Sequence, residues 1–448
     1  MQQEVLAMAD DELKAMWDNL SLGYTESAGL PLLREEIASC YAGIETQHVT
    51  VLCPEEGIYL GLRALVEEGD EIVVSSPAYQ SLTEVAQACG ANIRRWEPTI
   101  AEDGSIVFRI EDFLTLVTEH TKLVVINFPH NPTSFQLSRS DFDTVVSTCS
   151  RVGCYLFSDE MYRGLEFNID EQNPAVCEVY EKGVSLSGMS KVYAMPGLRI
   201  GWLSSKNEAL NNKVRTLKDY TTICCSAPSE VLALIGLRNK KKIIARNLQI
   251  IHENTDAVDA FMKRFEKKFY WKRPRAGSFA FPSLKSKDKS ILTLCQEWVE
   301  KGNVMLLPST LYSFGDKHFR LGLGRKNLKE CLSLWEAYLL RDDTAVSATV
   351  MRKEPNVFSC RKCGHVVFYK DELADESIHT VTGACESYFL FQPPDWMGVE
   401  EGKKNCPNCK TRLGALKWSG NKCSCGTWVA PAIQFPCSRL DAKHRETE

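Results

Sequence analysis

The sequence predicts an α/β protein that carries a small cysteine-rich module at its C-terminal end. Several β-branched runs of strand length are each followed by a polar loop, and amphipathic helical segments separate them. The cysteines are unevenly distributed, because eight of the 18 lie after residue 340. At 448 residues the chain exceeds the size of a single core, so we expect two or three cores.

The composition is that of a soluble globular protein, with 44% hydrophobic and 25% charged residues. A formal net charge of -5 gives no electrostatic reason to expect nucleic acid or an anionic membrane as a partner. The first residues lack a basic segment followed by an apolar one, and no apolar run is long enough to cross a bilayer. We therefore expect a cytoplasmic protein without a membrane partner and leave a nuclear location open.

The first candidate site residues lie near the start of the α/β region. Gly57 opens an amphipathic helix, and the free N–H groups of a helix start suit a phosphate. Glu55 and Glu56 precede it, and their carboxylates would repel a phosphate unless they point away. A strand is predicted over 69–75, and Tyr79 follows its carboxyl end, where an aromatic ring can lie flat against a planar ligand.

Two further predicted strands end in polar side chains. The run 122–127 leads to Asn131 in the loop F-P-H-N-P-T-S, and the run 154–157 leads to Asp159 and Tyr162 in S-D-E-M-Y-R. We expect these side chains at the same sheet edge as the aromatic residue of the preceding strand.

The most informative segment is 184–203, V-S-L-S-G-M-S-K-V-Y-A-M-P-G-L-R-I-G-W-L, in which Lys191 lies between two apolar runs and Arg199 follows. A Schiff-base enzyme needs a lysine amine at the end of a rigid strand, and a nearby guanidinium can bind a cofactor phosphate bidentately. This layout predicts a site for pyridoxal 5'-phosphate.

With that cofactor, the residues at the other strand ends acquire definite roles. Asp159 can pair with the protonated pyridine nitrogen, which keeps the ring an electron sink. Asn131 and Tyr162 can share the ring oxygen, and Tyr79 can stack on the ring. Most lysines are ordinary surface residues, so the prediction depends on the whole set rather than on Lys191 alone.

The segments G-Y-T-E-S-A-G-L-P-L-L-R, N-F-P-H-N-P-T, S-D-E-M-Y, S-K-V-Y-A-M-P-G-L-R-I-G-W and F-R-L-G-L-G-R resemble class I/II aminotransferases of fold type I, from about residue 20 to residue 340. The resemblance implies a large, mostly parallel sheet domain that binds the cofactor over 49–245. It also implies a small α/β domain built from 1–48 and 246–341.

The resemblance assigns further roles. It implies that Lys191 forms the Schiff base, that Arg199 binds phosphate and that Arg320 clamps the substrate α-carboxylate. Tyr24 resembles a tyrosine that reaches a phosphate across the interface of a homodimer.

One phosphate ligand departs from the family pattern. Relatives often place a serine three residues before the lysine, but this chain has Gly188 there, so Ser187 or Ser190 is the substitute.

The implied reaction is transamination between an amino acid and a 2-oxo acid, with Lys191, Asp159 and Tyr162 as catalytic residues. Freed Lys191 removes the α-proton while Asp159 keeps the ring protonated. Lyase or cyclase chemistry can follow from the same carbanion. A non-catalytic scaffold is a further alternative, because the chain begins shortly before G-Y-T-E-S whereas relatives carry an additional N-terminal stretch.

The cysteines of the tail indicate metal. They follow the segment 342–357, whose composition lacks core periodicity and predicts a linker. Without a secretion signal, clustered cysteines favour metal ligation over disulfides. We assign one zinc ion to four thiolates, those of Cys406, Cys409, Cys423 and Cys425. We assign a second zinc ion to three cysteines and a histidine, Cys360, Cys363, Cys385 and His379, with Cys437 as a competing ligand.

Residues 358–441 resemble the C-terminal zinc-binding domain of YVH-type dual-specificity phosphatases, on the pattern C-R-K-C, C-E-S-Y-F, C-P-N-C, L-G-A-L-K-W-S-G and C-S-C-G-T-W. None of the eight histidines is followed by a cysteine, so the phosphatase loop is absent and no phosphatase activity is implied. In that family the domain is associated with ribosome assembly and with protein or redox interactions. The resemblance therefore implies a protein or ribosome-assembly partner, and the chain reads as a fusion.

Overall fold

The computed structural model describes residues 2–101, 103–286, 289–345, 357–369, 372–374, 387–423 and 428–443. The chain divides into two compact units, Met1–Asp343 and Thr344–Glu448. The predicted linker 342–357 is too long at both ends. A helix continues through Ala345, and the first strand of the second unit begins at Val357.

The first unit contains a central sheet and several small strand pairs. Its strands are β1 (Val49–Leu52), β2 (Glu71–Ser75), β3 (Asn92–Trp96), β4 (Thr99–Ile100), β5 (Ile106–Val107), β6 (Thr121–Asn127), β7 (Tyr155–Asp159), β8 (Gly183–Gly188), β9 (Gly201–Ser204), β10 (Phe269–Tyr270), β11 (Phe279–Ala280), β12 (Ser283–Leu284), β13 (Leu307–Pro308) and β14 (Phe319–Gly322). The central sheet has seven strands in the order β1-β9-β8-β7-β6-β2-β3. Strands β3, β2, β6, β7 and β8 are parallel, and β9 runs antiparallel to both of its neighbours.

Helices cover both faces of this sheet and continue beyond it. They are α1 (Gln2–Leu6), α2 (Asp11–Asp18), α3 (Pro31–Ala38), α4 (Pro54–Leu65), α5 (Ser81–Ala88), α6 (Ile110–Leu116), α7 (Arg139–Val152), α8 (Val176–Val179), α9 (Glu208–Lys218), α10 (Ala227–Arg238), α11 (Lys240–Arg264), α12 (Ile291–Gly302) and α13 (Leu328–Ala345). Capping residues explain where some of these helices begin and end. Ser138 caps α7 by accepting from the Asp141 N–H, and Gly153 ends that helix in the left-handed conformation at φ 80°.

Strand alternation separates the core into two layers. Ile72 and Val74 of β2 pack into one hydrophobic cluster with helices α4 and α5, whereas Val73 between them packs with Trp96 and Phe113 in another. Successive side chains of a strand point to opposite faces of the sheet. Because both faces of β2 are buried, helices must cover the sheet on both sides. This arrangement is the predicted large parallel-sheet domain.

Two features of the fold cross the predicted boundaries between the large and the small domain. The boundary between residues 245 and 246 falls inside α11, which runs from Lys240 to Arg264 without interruption. Helices α1, α2 and α3 pack against α10, which belongs to the segment predicted as the large domain. The small sheet β11-β14-β13 lies within the predicted small domain.

The second unit is built from short antiparallel strands. They are β15 (Val357–Cys360), β16 (Val366–Tyr369), β17 (Ser387–Phe389), β18 (Gly402–Asn405), β19 (Arg412–Lys417), β20 (Asn421–Lys422), β21 (Trp428–Val429), β22 (Ala432–Pro436) and β23 (Leu440–Lys443). They form sheets β16-β15-β23, β17-β22-β19-β18 and β20-β21. The core is small and aromatic: the rings of Phe358 and Phe368 stack at 4.7 Å, and Phe435 lies 5.3 Å from Phe368.

Among the described residues of both units, no helix combines the length and the apolarity that a membrane span requires.

Candidate active site and candidate metal centre

The predicted polar residues of the first unit converge on one cavity of about 200 Å³. The predicted residues that line it are Tyr79, Asn131, Asp159, Tyr162, Ser190, Lys191, Arg199 and Arg320. Residues that the sequence did not assign to the site also line it, namely Pro54, Glu55, Ile58, Met161, Leu186 and Pro196. The cavity lies at the carboxyl ends of the parallel strands, where ligands of open α/β sheets bind.

The strand register explains why these side chains meet. Asn127, the last residue of β6, lies beside Asp159, the last residue of β7, and Asp159 lies beside Leu186 of β8. The buried Asn127 amide donates to the Asp159 carbonyl at 2.8 Å and accepts from the Asn131 N–H at 2.8 Å. Asn127 therefore fixes two neighbouring strand ends to each other. Sequence reasoning missed this role, although the residue closes the predicted strand.

Asp159 is buried at the floor of the cavity. Its carboxylate accepts from the Met161 N–H at 3.1 Å and forms no ion pair among the described residues. Burial raises the pKa of Asp159 to about 6, and the Lys191 ammonium opposes that shift. Such a carboxylate lacks the cation that would compensate its desolvation, which is the chemistry expected of a partner for a protonated ring nitrogen.

Lys191 follows the last strand of the parallel set. Gly188, the last residue of β8, lies close to Gly201 of β9; a Cβ on Gly188 would lie 2.8 Å from the Gly201 Cα. Partial burial and the nearby Arg320 guanidinium lower the pKa of Lys191. A lowered pKa favours the neutral amine, the form that acts as nucleophile and base.

Arg199 also lines the cavity and has the left-handed conformation, at φ 56°. Its Nη1 donates to the Pro196 carbonyl at 3.2 Å and its Nη2 to the Cys53 Sγ at 2.9 Å. Cys53 is the N-cap of α4, so the guanidinium lies beside a helix N-terminus. Together these groups favour an anion.

Arg320 lines the cavity among aromatic neighbours. Its Nη1 donates to the Asn131 Oδ1 at 2.9 Å, which leaves the Asn131 Nδ2 to donate to a ligand. The guanidinium carbon lies 5.5 Å from the Phe279 ring centre and 5.6 Å from that of Tyr312. The Tyr162 ring meets Phe279 edge to face at 4.8 Å. Burial raises the pKa of the Tyr162 hydroxyl, so it remains a donor.

Tyr79 lines the cavity as expected, and a carboxylate holds it there. The Tyr79 hydroxyl donates to the Glu55 Oε2 at 3.0 Å, and the Ser81 hydroxyl donates to the other oxygen of Glu55. Burial, followed by the charge of Glu55, raises the pKa of Tyr79. Glu56 instead faces Thr222, whose hydroxyl donates to it at 2.8 Å. Of the two acidic residues, only Glu55 lines the cavity.

The expectation for Gly57 is wrong. Helix α4 begins at Pro54, and the Gly57 N–H already donates to the Cys53 carbonyl at 2.9 Å. A Cβ on Gly57 would lie 2.7 Å from a Leu52 methyl and 2.8 Å from a Leu186 methyl. Gly57 therefore permits close helix–sheet packing rather than binding a phosphate.

Tyr24 and the serines complete the predicted set. Tyr24 is 89% exposed and does not line the cavity of its own chain. Ser190 lines the cavity, whereas Ser187 is buried within β8. The structure thus favours Ser190 over Ser187 as the residue that replaces the missing family serine.

The donor set fits pyridoxal phosphate. The cavity offers an amine in Lys191, a buried carboxylate without a cationic partner in Asp159, and a guanidinium in Arg199 that has no carboxylate partner among the described residues. These are the groups that an aldehyde, a pyridine nitrogen and a phosphate require.

In the second unit, four cysteine sulfurs lie within 4.8 Å of one another, those of Cys360, Cys363, Cys406 and Cys409. The Cys360 and Cys409 sulfurs are 3.7 Å apart, as are those of Cys363 and Cys406. A tetrahedral zinc ion with bonds of about 2.3 Å places its sulfurs about 3.8 Å apart. A disulfide needs about 2.05 Å, so this spacing suits a metal and not a covalent pair.

The two cysteine pairs lie on equivalent turns. The Gly364 N–H donates to the Cys360 carbonyl at 2.8 Å, and the Lys410 N–H donates to the Cys406 carbonyl at 3.0 Å. Gly364 and Lys410 both have positive φ, at 74° and 60°. Hydrogen bonds from the hydroxyl and the N–H of Thr411 lower the pKa of Cys409 to about 6, which favours the thiolate that ligates metal.

This cluster corrects the predicted grouping of ligands. Cys406 and Cys409 lie against Cys360 and Cys363, not against Cys423. Cys423 is buried beside the hairpin of β20 and β21, and the competing ligand Cys437 is also outside the cluster. The other predicted ligands lie outside the described residues, namely His379, Cys385 and Cys425.

Comparison with known proteins agrees with the architecture of the first unit. The family model for aminotransferase class I and II matches residues 4–333. The chain is 28% identical over 270 residues to capreomycidine synthase of Streptomyces vinaceus, covering 60% of this chain and 67% of that one. It is 24% identical over 307 residues to an aspartate aminotransferase of Pyrococcus horikoshii, covering 66% and 78%.

Two solved structures resemble the fold closely. A PLP-dependent aminotransferase from Streptococcus suis superimposes with a TM-score of 0.70 at 27% identity, covering 76% of this chain and 90% of that one. The PLP-dependent cyclase OrfR gives a TM-score of 0.69 at 25% identity, covering 76% and 89%. These likenesses confirm the predicted fold class, fold type I with a mostly parallel sheet.

Proposed function

Because the chain belongs to the class I and II aminotransferases, we propose that it transfers the amino group of an amino acid to a 2-oxo acid in the cavity that contains Lys191. The observation that carries the proposal is the convergence of Lys191, Asp159, Asn131 and Arg320 on that cavity. The same convergence argues against the non-catalytic scaffold, since a decayed site has no need of every one of these groups.

Each residue of the cavity is assigned to one part of the cofactor. Pyridoxal phosphate, when bound, supplies an aldehyde that couples to amines and a ring that withdraws electrons from the substrate α-carbon. Lys191 and Asp159 hold its aldehyde end and its ring nitrogen, and Arg199 with Ser190 holds its phosphate. Asn131 and Tyr162 donate to the ring oxygen.

Arg320 and Lys191 are the charged residues of the cavity that we assign to substrate binding and proton transfer. Arg320 grips the α-carboxylate of the amino acid, because its guanidinium faces the cavity and is held there by Asn131. Lys191, whose pKa is lowered, would accept the α-proton of the substrate at Nζ. Asp159 would hold the ring nitrogen of the cofactor through a charged hydrogen bond.

Covalent trapping tests the assignment of Lys191. Borohydride reduction of the protein with pyridoxal phosphate should fix the cofactor to Lys191, and peptide mapping should find it there. Lys191→Ala should abolish the visible absorbance of bound cofactor, whereas Lys213→Ala, at an exposed lysine of α9, should retain it. Attachment to another lysine, or to none, would refute the proposal.

A cyclase or lyase is the second candidate, because the relatives include a capreomycidine synthase and a PLP-dependent cyclase. The two reactions differ in their products. A transaminase converts the amino donor into a 2-oxo acid and transfers its nitrogen to an acceptor, whereas a cyclase consumes no 2-oxo acid acceptor.

Tyr24 supports a homodimer. It is 89% exposed next to Leu22 at 84%, and Tyr220 is 86% exposed. The Thr25 hydroxyl donates to the Cys225 carbonyl at 3.1 Å and the Ser27 hydroxyl to Asp219 at 2.8 Å, so the two exposed segments lie together. Clustered exposed aromatic side chains mark an interaction surface. We infer that a second copy covers them and receives Tyr24 at its phosphate.

The tail is proposed as a zinc-dependent interaction module. The four-sulfur cluster would hold one zinc ion, and a second ion remains a proposal that involves Cys423 and residues outside the described part of the chain. Its partner is proposed as a protein or a ribosome-assembly factor, on the resemblance of the tail to the YVH-type domain.

A further inference from the structure

We propose that Glu55 weakens the grip of the cavity on the cofactor phosphate while it positions Tyr79, an inference that rests on the proposed function. Glu55 is the second residue of α4, and its side chain lines the cavity together with Lys191 and Arg199. A carboxylate there competes with a ligand phosphate, because a helix N-terminus and a guanidinium both attract anions.

The Glu55 carboxylate is fixed rather than free. One oxygen accepts from the Tyr79 hydroxyl at 3.0 Å, and the other accepts from the Ser81 hydroxyl. Both donors belong to the segment that follows β2, so the contact ties that segment to the start of α4. Glu55 therefore sets the position of the aromatic ring predicted to stack on the cofactor.

The backbone donors at the start of α4 are few. Pro54 has no N–H, and the Gly57 N–H is bonded to the Cys53 carbonyl at 2.9 Å. The first-turn N–H groups left for an anion are those of Glu55 and Glu56, so the residue that offers a donor also carries a negative charge. The neighbouring cation is Arg199, which contacts Cys53 one residue before the helix begins.

A doubly charged phosphate in this corner meets one guanidinium and one carboxylate. Repulsion between like charges opposes the attraction to Arg199 and to the helix terminus. Glu55 is exposed in the open cavity, so water screens part of this repulsion and the effect on affinity is moderate. Phosphate-free pyridoxal lacks the dianion on which this repulsion acts.

The test compares two ligands and two matched variants of the full chain. Glu55→Gln keeps an oxygen for the Tyr79 hydroxyl and removes the charge. We expect it to bind pyridoxal phosphate on the order of three- to tenfold more tightly than the unaltered chain, measured from the absorbance of lysine-bound cofactor. Its affinity for phosphate-free pyridoxal should not change. Glu84→Gln removes an exposed carboxylate of α5 outside the cavity and should change neither affinity.

Each other outcome overturns the inference. Equal or weaker phosphate-ligand binding by Glu55→Gln means that the charge does not oppose the phosphate. A parallel change for both ligands means that Glu55 acts on the ring through Tyr79 alone. If the unaltered chain binds neither ligand at Lys191, the proposed function fails first and this inference with it.

Discussion

Two side chains in the cavity have pKa values shifted toward each other. Burial raises the pKa of Asp159 to about 6, and burial with the Arg320 charge lowers that of Lys191. Each shift disfavours the charged form in the cofactor-free protein, because neither group has a compensating ion pair among the described residues. The charged forms of these two groups therefore lower the folding stability of the cofactor-free protein. A bound cofactor with a protonated nitrogen would offset the desolvation of Asp159.

The desolvation of Asp159 predicts that Asp159→Asn stabilises the cofactor-free protein at neutral pH. The folded pKa of about 6 lies above the ordinary value of 3.8, so the proton stabilises the folded state. That contribution is full below the unfolded pKa and is lost as pH rises through about 6. The variant should therefore gain on the order of 3 kcal/mol in the free energy of unfolding above about pH 7, and little at about pH 4.

Urea unfolding of the cofactor-free protein at both pH values measures this difference. Asp18→Asn, at an exposed carboxylate of α2, is the control and should show no such pH-dependent gain. A variant no more stable than the unaltered protein at neutral pH would contradict the desolvation argument. The variant should also lose cofactor affinity, since the amide cannot form the charged hydrogen bond.

At the scale of elements, the predicted strands and their polar ends were recognisable because both signals are local. The β-branched runs before Asn131 and Asp159 are strands, and parallel pairing brings their ends together. The start of α4 was misplaced by three residues, although Pro54 is the type of residue that occupies a first helical position. Because the helix begins at Pro54, Glu55 lies in its first turn, and its side chain lines the cavity.

The cysteine pairing could not be read from spacing. Each pair sits on its own turn, one between β15 and β16 and the other between β18 and β19. The sequence neighbours of Cys406 and Cys409 suggested Cys423 as partner, but strand pairing across the unit brings Cys360 and Cys363 there instead. Ligand grouping depends on these distant contacts, so local motifs do not determine it.

The shared cluster predicts that Cys363→Ser and Cys406→Ser release the same zinc ion. Each single variant should lose one equivalent of zinc, because a four-thiolate site needs all of its ligands. The double variant should lose no more zinc than either single one. Metal analysis of the full chain after dialysis measures this, with Cys331→Ser in α13 as the control. Loss of a second equivalent in the double variant would restore the grouping first expected from the sequence.

At the scale of the whole molecule, the two units differ in what stabilises them. The first has extensive hydrophobic clusters on both faces of its sheet, whereas the main core of the second is small. That core includes Cys360 and Cys406, so a metal ion at their sulfurs would add folding free energy where apolar burial is limited. The cavity, by contrast, is built entirely from residues of Met1–Asp343.

Because the residues that line the cavity all belong to Met1–Asp343, the tail should not be needed for cofactor binding. Truncation after Ala345, which keeps α13 whole, should leave cofactor affinity unchanged and should leave the protein a dimer through the surface around Tyr24. Cofactor titration and sedimentation of the truncated chain measure both properties, and the same truncation with Lys191→Ala should show no bound-cofactor absorbance. Loss of cofactor binding would show that the tail supports the site. A truncated monomer that still binds cofactor tightly would contradict a phosphate contact from the partner, because Tyr24 is too exposed to serve its own cavity.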